Sequence, residues 1–326
     1  MKAVACLEPG QLSLIDRPDP ARPGPGEALL AVAHVGICGT DYHIFEGTHP
    51  YLAYPRVMGH EASGTVVAVG EGVLLSPGTE VFVNPYIACG ICVACRQGKP
   101  NCCKTISVLG VHRDGAMCGH ILVPAANLYP TDGLSLRLAA AVEFLAIGAH
   151  AVRRSLAGAG TPALIIGAGP IGLGVALFAR IAGQNVVMTD TSRARLDMAE
   201  ALGFAVTEAD TATEDGFGVV YDATGNAASM QAAFGRVAHG GALVLVSVVT
   251  ADISFFDPEF HKREMMLIGS RNALATDFSH VAEAIKAGHV PMDRLFTHRT
   301  TLADAPRDIA RWATDKTGLI KAVIDI

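Results

Sequence analysis

Four cysteines lie close together in one short segment of this 326-residue chain, at Cys89, Cys92, Cys95 and Cys103. Thiolates at every third residue, followed by a fourth, can converge tetrahedrally on a single zinc ion. Disulfides are the alternative, but the chain begins with the strand-like MKAVAC rather than a charged and then apolar leader. We therefore expect a reducing cytoplasmic environment, where clustered cysteines bind metal. The cluster predicts a structural zinc site.

Charge and hydropathy limit the classes of partner. A four-cysteine knuckle can also belong to a nucleic-acid-binding module, but the net charge is −6 and no Lys/Arg-rich run is present. Phosphate binding depends on a basic patch, so we expect no nucleic-acid partner. The apolar stretch 163–183 approaches the length of a membrane span, yet it carries five glycines, a proline and Arg180. A buried strand running into a buried helix explains it better, and we expect no membrane partner.

The character of the sequence changes near residue 136, which indicates a two-domain α/β protein. Residues 1–130 carry short alternating runs separated by Gly/Pro turns, the pattern of an all-β barrel or sandwich. Helix-like stretches then alternate with short apolar strands, which predicts a doubly wound parallel sheet covered by helices. We expect a catalytic domain at 1–150, a nucleotide-binding domain at 151–288, and a segment 289–326 that returns to the first domain. The stretch between Val206 and Val219 is too short for a crossover helix and is predicted as a loop or single turn.

A glycine-rich turn follows the apolar run ALII and begins a helix; its residues are Gly167, Ala168, Gly169, Pro170, Ile171 and Gly172. The first glycine permits a tight turn, the second lets the backbone approach a pyrophosphate, and the third lets helix and strand pack closely. Proline is tolerated in the first helical turn, and the helix N-terminus attracts the anion. This context predicts a dinucleotide-binding site.

The choice between the two nicotinamide cofactors depends on the end of the next strand. Asp190 ends the run NVVMTD, about twenty residues beyond the glycines. A carboxylate there hydrogen-bonds the ribose hydroxyls of NAD and repels the 2′-phosphate of NADP. Arg193 and Arg195 lie close by, and arginine is what an NADP site would use. We expect NAD(H) to be preferred over NADP(H), with Arg195 also contacting the cofactor.

A second set of potential metal ligands precedes the cysteine cluster. Cys38, His60 and Glu61 would leave an open position on zinc, which is the arrangement of a catalytic ion. No cysteine follows Cys118, so a second thiolate from later in the chain is excluded. Glu143 lies in the apolar run AVEFLA and needs a partner there. It is predicted as a fourth ligand, directly or through water, with a salt bridge at the domain junction as the alternative. The chain should bind two Zn²⁺ ions.

Residues just after Cys38 form a candidate proton relay. Thr40 lies two residues from the thiolate, and His43 follows three residues later, with a side-chain pKa near operating pH. We expect the relay to run from Thr40 to solvent through His43, although a histidine in a loop is often merely exposed. Asp41 is a candidate partner that orients the His60 ring. Cys6, Cys102 and Cys118 are expected to be packing residues.

These residues together resemble the zinc-dependent medium-chain dehydrogenase/reductases over essentially the whole chain. The matching motifs are GICGTD (36–41), GHEASG (59–64), CGICVACRQGKPNCC (89–103), the glycine turn and DATGN (222–226). The resemblance implies a GroES-like barrel, a Rossmann domain, an active site between them, and homodimers or homotetramers built through the nucleotide domains. Glu143 in place of a thiolate is similar to the sorbitol and threonine dehydrogenase branch, but Phe144 stands where that branch usually has proline.

Three further segments are most similar to sugar-acid dehydrogenases: VLGVHRDGAM (108–117), DPEFHKRE (257–264) and GSRNA (269–273). The resemblance implies oxidation of a secondary hydroxyl of a polyol or an aldonate such as L-galactonate or L-gulonate, with NAD⁺ as acceptor. Arg271 and Lys262 are candidates for the substrate carboxylate; cofactor contacts or surface salt bridges are equally good interpretations. The alternatives are a threonine-type dehydrogenase, a general secondary-alcohol dehydrogenase, a zinc-free reductase, and a nucleotide-binding scaffold without turnover.

Overall fold

The computed structural model describes residues 1–49, 52–208 and 216–326. It divides into two compact units, one formed by Met1–Glu143 with Ala282–Ile326 and the other by Phe144–Val281. These boundaries lie seven residues before the predicted domain ends at 150 and 288, and a helix runs through each of them. Most of the predicted loop between Val206 and Val219 lies outside the described residues. No helix in the described ranges is long and apolar enough to span a bilayer.

The N-terminal part of the first unit is rich in short strands. The strands are β1 (Lys2–Glu8), β2 (Gln11–Asp16), β3 (Glu27–Ile37), β4 (Arg56–Val57), β5 (Glu61–Val69), β6 (Glu80–Val83), β7 (Tyr86–Ile87), β8 (Ser107–Val108), β9 (His120–Pro124) and β10 (Leu128–Pro130). The helices are α1 (Gly39–Glu46), α2 (Val93–Arg96) and α3 (Leu136–Ala139), with 3-10 turns at Pro100–Cys102 and Ala125–Asn127. The next helix, α4 (Val142–Ser155), begins in this unit and continues into the second.

The second unit alternates strands and helices as the sequence predicts. Its elements are β11 (Pro162–Ile166), α5 (Pro170–Ile181), β12 (Asn185–Thr189), α6 (Arg193–Ala201), β13 (Ala205–Thr207), β14 (Phe217–Asp222), α7 (Ala227–Ala233), a 3-10 turn (Phe234–Arg236), β15 (Val237–Leu245), α8 (Asp257–Lys262), β16 (Met266–Gly269) and α9 (Ala275–Lys286). The strands form one parallel sheet in the order β13-β12-β11-β14-β15-β16. The doubly wound fold is confirmed.

The central strand of this sheet explains why its sequence is continuously apolar. Ala163, Leu164 and Ile165 of β11 are fully buried, because strands lie on both sides of β11 and α5 packs against it. The short β13 was not predicted, since three residues carry too little alternation to separate a strand from a loop.

The C-terminal segment belongs to the first unit. It contains α10 (Met292–Leu295), β17 (Phe296–Thr301), α11 (Ala305–Thr314) and β18 (Lys321–Asp325). β18 runs antiparallel to β3, with Ala322 opposite Ile37, inside a sheet ordered β10-β6-β5-β3-β18-β17 to which β9 adds by pairing with β3. Smaller sheets, β2-β1-β4 and β7-β8, complete the unit. Trp312 of α11 is buried against the same apolar core as Leu30 and Met58.

Candidate metal centres and nucleotide site

The four clustered cysteines converge in the loop between β7 and β8. The sulfur atoms of Cys89, Cys92, Cys95 and Cys103 all lie within 4.8 Å of one another. Cys92 caps α2, whose single turn brings its sulfur to 3.5 Å from that of Cys95. The backbone N–H of Cys89 donates to the Cys103 sulfur at 3.2 Å. The loop therefore has the donor set of a closed tetrahedral zinc site.

Electrostatics also fit a cation among these sulfurs. Backbone N–H groups of Ile91 and Cys92 lower the pKa of the Cys89 thiol, which favours a thiolate. Desolvation and the hydrogen bond with Cys92 raise the pKa of Cys95 to about 12, which favours the protonated thiol there. A bound zinc ion would favour the thiolate form at all four cysteines. All eight cysteines are free thiols, and Cys103 is buried within the cluster, whereas Cys102 is exposed and outside it.

The second set of ligand atoms is assembled by the pairing of β3 with β5. Cys38 follows the last residue of β3, and His60 and Glu61 stand at the start of β5, where Glu61 lies opposite Gly36. The sulfur, a ring nitrogen and a carboxylate oxygen of Cys38, His60 and Glu61 lie within 4.8 Å of one another. Burial opposes a charge on His60, but the hydrogen bond and charge of Cys38 outweigh it and raise its pKa.

Unpartnered polar atoms in this second set fit a metal. His60 Nδ1 and Glu61 Oε1 are buried, and neither has a hydrogen-bond partner within the described ranges. Buried polar groups of this kind are costly unless something binds them. Glu61 forms an ion pair with Lys321 of β18, and the two side chains are 0% and 2% exposed. Gly36 makes this possible, because a Cβ there would lie 2.1 Å from Glu61 Oε2.

Glu143 lies beside this set but is not part of it. The mutually close ligand atoms belong to Cys38, His60 and Glu61 alone among the described residues. Glu143 is 4% exposed, accepts a hydrogen bond from the Tyr86 hydroxyl, and interacts electrostatically with His60 and Glu61. Burial raises the pKa of its carboxyl. Ligation by Glu143, directly or through water, stays a prediction.

The relay residues are only partly brought together. The Cys38 thiol lies 3.8 Å from the Thr40 hydroxyl, as the spacing suggested. The ring of His43 is exposed, and its Nδ1 lies 3.1 Å from the Thr48 hydroxyl. Asp41, the candidate partner of the His60 ring, accepts the N–H of Cys38 at Oδ2 over 2.9 Å, and its Oδ1 has no hydrogen-bond partner in the described part of the chain. The charges of Asp41 and His60 interact, and an orienting role for Asp41 stays a prediction. Asp41 thus caps α1 and fixes the position of Cys38.

The glycine turn has the geometry that a dinucleotide needs. Gly167 adopts φ +99°, a left-handed conformation that favours glycine. A Cβ at Gly172 would lie 1.7 Å from the carbonyl oxygen of Gly167, so only glycine allows α5 to approach the turn. A Cβ at Gly169 would meet nothing within 4 Å, which leaves open space at the N-terminus of α5. Pro170 and Ile171 are the first residues of that helix.

Asp190 lies directly beside this turn. Its carboxylate accepts the N–H of Ala168 and the N–H of Ser192, both at 2.8 Å. Arg195 of α6 reaches the same carboxylate at 3.5 Å and is half exposed. The Asp190 carboxylate therefore links the glycine turn to the end of β12 by hydrogen bonds and neutralises the charge of the nearby Arg195. Its contact with a ribose, and that of Arg195 with the cofactor, stay predictions.

The proposed carboxylate-binding residues are both exposed. Lys262, in the last turn of α8, pairs with Glu259 at 3.4 Å. This is the surface salt bridge that was the alternative interpretation. Arg271 follows β16 by two residues. A role for either in substrate binding stays a prediction.

Two residues of the site were missed by sequence reasoning. Lys321 had a signal, because a lysine inside the apolar run LIKAVI needs a buried partner. Its partner Glu61 is 260 positions away, and only the β18–β3 pairing brings them together. Tyr86, the partner of Glu143, carries no signal that separates it from an ordinary strand aromatic.

Family comparisons agree with both halves of the molecule. Residues 24–133 match the Alcohol dehydrogenase GroES-like domain, and residues 170–287 match the Zinc-binding dehydrogenase domain. Together they cover the loop of four cysteines, the set around Cys38, and the helix that follows the glycine turn.

Individual relatives match over nearly the full length. The chain is 41% identical to L-galactonate-5-dehydrogenase of Escherichia coli K12, over 99% of this chain and 98% of that one. The RspB alcohol dehydrogenase of Escherichia coli CFT073, solved with NADH, superposes with a TM-score of 0.94 at 29% identity, over 100% of this chain and 99% of that one. A zinc-binding dehydrogenase of Sinorhizobium meliloti 1021, solved with NADP, gives 0.92 at 29% identity with the same coverage. The chain belongs to the zinc-binding alcohol dehydrogenase family, within the medium-chain dehydrogenase/reductases.

Proposed function

We propose that this protein is a zinc-dependent dehydrogenase that oxidises a secondary hydroxyl of a sugar acid or polyol to the ketone, with NAD⁺ as the hydride acceptor. The observation that carries the proposal is the grouping of Cys38, His60 and Glu61, whose ligand atoms lie within 4.8 Å of one another. The unpartnered buried atoms of His60 and Glu61 support a metal at that point.

The zinc ion and the nicotinamide cofactor would supply the chemistry that the side chains lack. Zinc would act as a Lewis acid toward the substrate oxygen, and the nicotinamide would accept the hydride. Cys38, His60 and Glu61 would hold the catalytic ion, while the four-cysteine loop would hold a second, structural one. Thr40, beside Cys38, would accept the hydroxyl proton while giving up its own, and the exposed His43 would take up the relayed proton and release one to solvent.

The choice of NAD⁺ over NADP⁺ depends on Asp190. Its carboxylate is held beside the glycine turn by two backbone N–H groups, where it would repel a 2′-phosphate. Arg195 reduces that repulsion, because it already pairs with Asp190. The RspB relative was solved with NADH and the Sinorhizobium relative with NADP, so both cofactors occur among similar proteins.

The substrate class is supported by the L-galactonate-5-dehydrogenase of Escherichia coli, to which the chain is 41% identical. An aldonate carries a carboxylate, for which the exposed guanidinium of Arg271 is a suitable partner. A polyol has no such group and would not depend on Arg271. The assembly that we propose is a homodimer or homotetramer.

A substrate panel tests the proposal. The purified protein is assayed with aldonates, neutral polyols, amino alcohols and simple secondary alcohols, each with NAD⁺ and NADP⁺, and reduced cofactor is followed by absorbance. We expect the highest kcat/KM with an aldonate and NAD⁺. The variant Arg271→Ala should raise KM for aldonates but not for polyols, and Arg22→Ala, which removes an exposed arginine with no proposed role, serves as its surface control.

Each outcome of the panel separates two functions. Turnover restricted to amino alcohols would indicate the threonine-type alternative, and equal KM increases for aldonates and polyols would remove Arg271 from substrate binding. Absence of turnover with every alcohol by a zinc-loaded protein that binds NAD⁺ would contradict the proposed function.

A further inference from the structure

A buried hydrogen bond beside the candidate catalytic site has no role in the reaction described so far. The Tyr86 hydroxyl donates to Glu143 Oε1, and the two residues are 9% and 4% exposed. Tyr86 lies on β7, and Glu143 is in the first turn of α4. A buried bond to a carboxylate restricts where that carboxylate can move.

Tyr86 is itself held firmly. Its backbone N–H donates to Asn84 Oδ1 at 3.0 Å, and its carbonyl accepts from Asn127 Nδ2 at 3.1 Å. The same Asn127 amide also donates to the carbonyl of Asn84 at 2.9 Å. Cys89, the first cysteine of the four-cysteine loop, follows three residues later. Tyr86 is therefore fixed both by the asparagines and by its connection to that loop.

Glu143 would otherwise be a natural ligand. Carboxylate oxygen is among the donors that zinc accepts, and Glu143 is close enough to His60 and Glu61 to interact with both. Its oxygens nevertheless lie outside the group of mutually close ligand atoms. The contact that engages Glu143 instead is the one with Tyr86.

We propose that Tyr86 is a positioning residue that keeps Glu143 out of direct coordination, so that the ion held by Cys38, His60 and Glu61 retains an open position for the substrate. This inference rests on the proposed function, because it requires a metal at that site. Tyr86 would thereby act on the metal through Glu143, without touching it.

If Tyr86 acts in this way, its removal should slow the release of metal, which simple damage to the site would not do. Removing the hydroxyl in Tyr86→Phe should let Glu143 join the ligands, so the catalytic metal should leave more slowly, on the order of tenfold, while kcat falls. A substitution that merely loosened the site would speed metal release. The combined Tyr86→Phe/Glu143→Gln variant should release metal at the rate of Glu143→Gln alone.

Cobalt supplies a readout that is independent of turnover. Co²⁺ is substituted for zinc in the full-length protein, and its visible spectrum and its release to a chelator are recorded, because the spectrum reports the ligand set and geometry. Cobalt bound in the four-cysteine loop contributes equally to the spectrum of every variant. The variant Cys38→Ser, which lacks a ligand of the other site, gives the spectrum of the loop alone. Tyr221→Phe is the matched control, since it removes a buried hydroxyl bonded to Ser155 and Gln184 in the other unit.

We expect the spectrum of Tyr86→Phe to change toward a higher coordination number, with Tyr221→Phe unchanged from the original protein. The proposal is overturned if Tyr86→Phe leaves spectrum and release unchanged, or if adding Glu143→Gln does not reverse its effect. If Cys38→Ser and the original protein bind equal cobalt with identical spectra, then the metal site itself, and with it the proposed function, is wrong.

Discussion

The variant Lys321→Met tests whether Glu61 exchanges a protein counter-ion for a metal. Glu61 and Lys321 are 0% and 2% exposed, so no solvent screens the carboxylate that would stay behind. Removing one partner of a buried ion pair costs about 3–5 kcal/mol. A zinc ion beside Glu61 would supply the missing positive charge. We therefore expect most of this loss of unfolding free energy in the zinc-free protein and little of it in the zinc-bound protein.

The difference between the stability lost without zinc and the stability lost with zinc must also appear as a change in zinc affinity. If zinc recovers about 3 kcal/mol, its affinity for Lys321→Met should rise by roughly a hundredfold, since each 1.4 kcal/mol is a factor of ten. The two measurements close one thermodynamic cycle. A variant that is less stable without metal and yet binds metal more tightly would be hard to explain by general damage to the fold.

The assay is urea unfolding with saturating zinc and after chelation. Four proteins are compared: the original, Lys321→Met, Glu61→Gln and the double variant. Chelation also removes the zinc ion of the four-cysteine loop. Because this happens in all four proteins, its effect on stability cancels when they are compared. Lys2→Met is the matched control, because Lys2 pairs with Asp16 at an exposed position and its loss should be nearly neutral in both states. An equal cost of Lys321→Met with and without zinc would show that zinc does not replace Lys321 as the counter-ion of Glu61.

Further predictions concern the other parts of the molecule. Cys92→Ser should reduce zinc content by one ion per chain and lower the melting temperature; an unchanged melting temperature would mean that the loop has no structural role. Asp190→Ala should raise KM for NAD⁺ and lower it for NADP⁺, and equal changes would remove Asp190 from cofactor selection. Burial alone would raise the pKa of Asp277, but hydrogen bonds from His150 and Arg153 lower it to about 2. The resulting stability, about 2 kcal/mol, is fully present above the ordinary pKa of 3.8 and is lost as pH falls through 2. Asp277→Asn should therefore be less stable at neutral pH and lose less stability between pH 4 and pH 2; parallel unfolding curves would contradict this.

Features encoded within a few residues were predictable. The four cysteines need only one loop and one helical turn to meet, and the glycine turn needs only the strand before it and the helix after it. Each functional residue there follows directly from local spacing. The continuous apolar run of β11 similarly identified a strand buried on both faces.

Features that depend on strand order were only partly predictable: donor types grouped Cys38, His60 and Glu61 as one metal site, but not the strand pairing that joins them or the partner of Glu61. Cys38 meets Glu61 because β3 pairs with β5, and Lys321 reaches Glu61 because β18 adds on the other side of β3. Alternating apolar residues identify such strands but do not say which neighbours they take. Gly36, which leaves room for the ion pair, is indistinguishable in the sequence from any other strand glycine. The Tyr86–Glu143 bond depends on the same long-range arrangement.

Dependence of the reaction on the metal is tested by measuring bound zinc and dehydrogenase rate in the same samples during graded chelation. We expect two zinc ions per chain, a rate that falls in proportion to the ion lost from the Cys38 site, and full recovery on adding zinc back. A Cys38→Ser protein should hold one ion and show no turnover. A rate that persists after both ions have been removed would show that the metal at Cys38, His60 and Glu61 does not drive the oxidation.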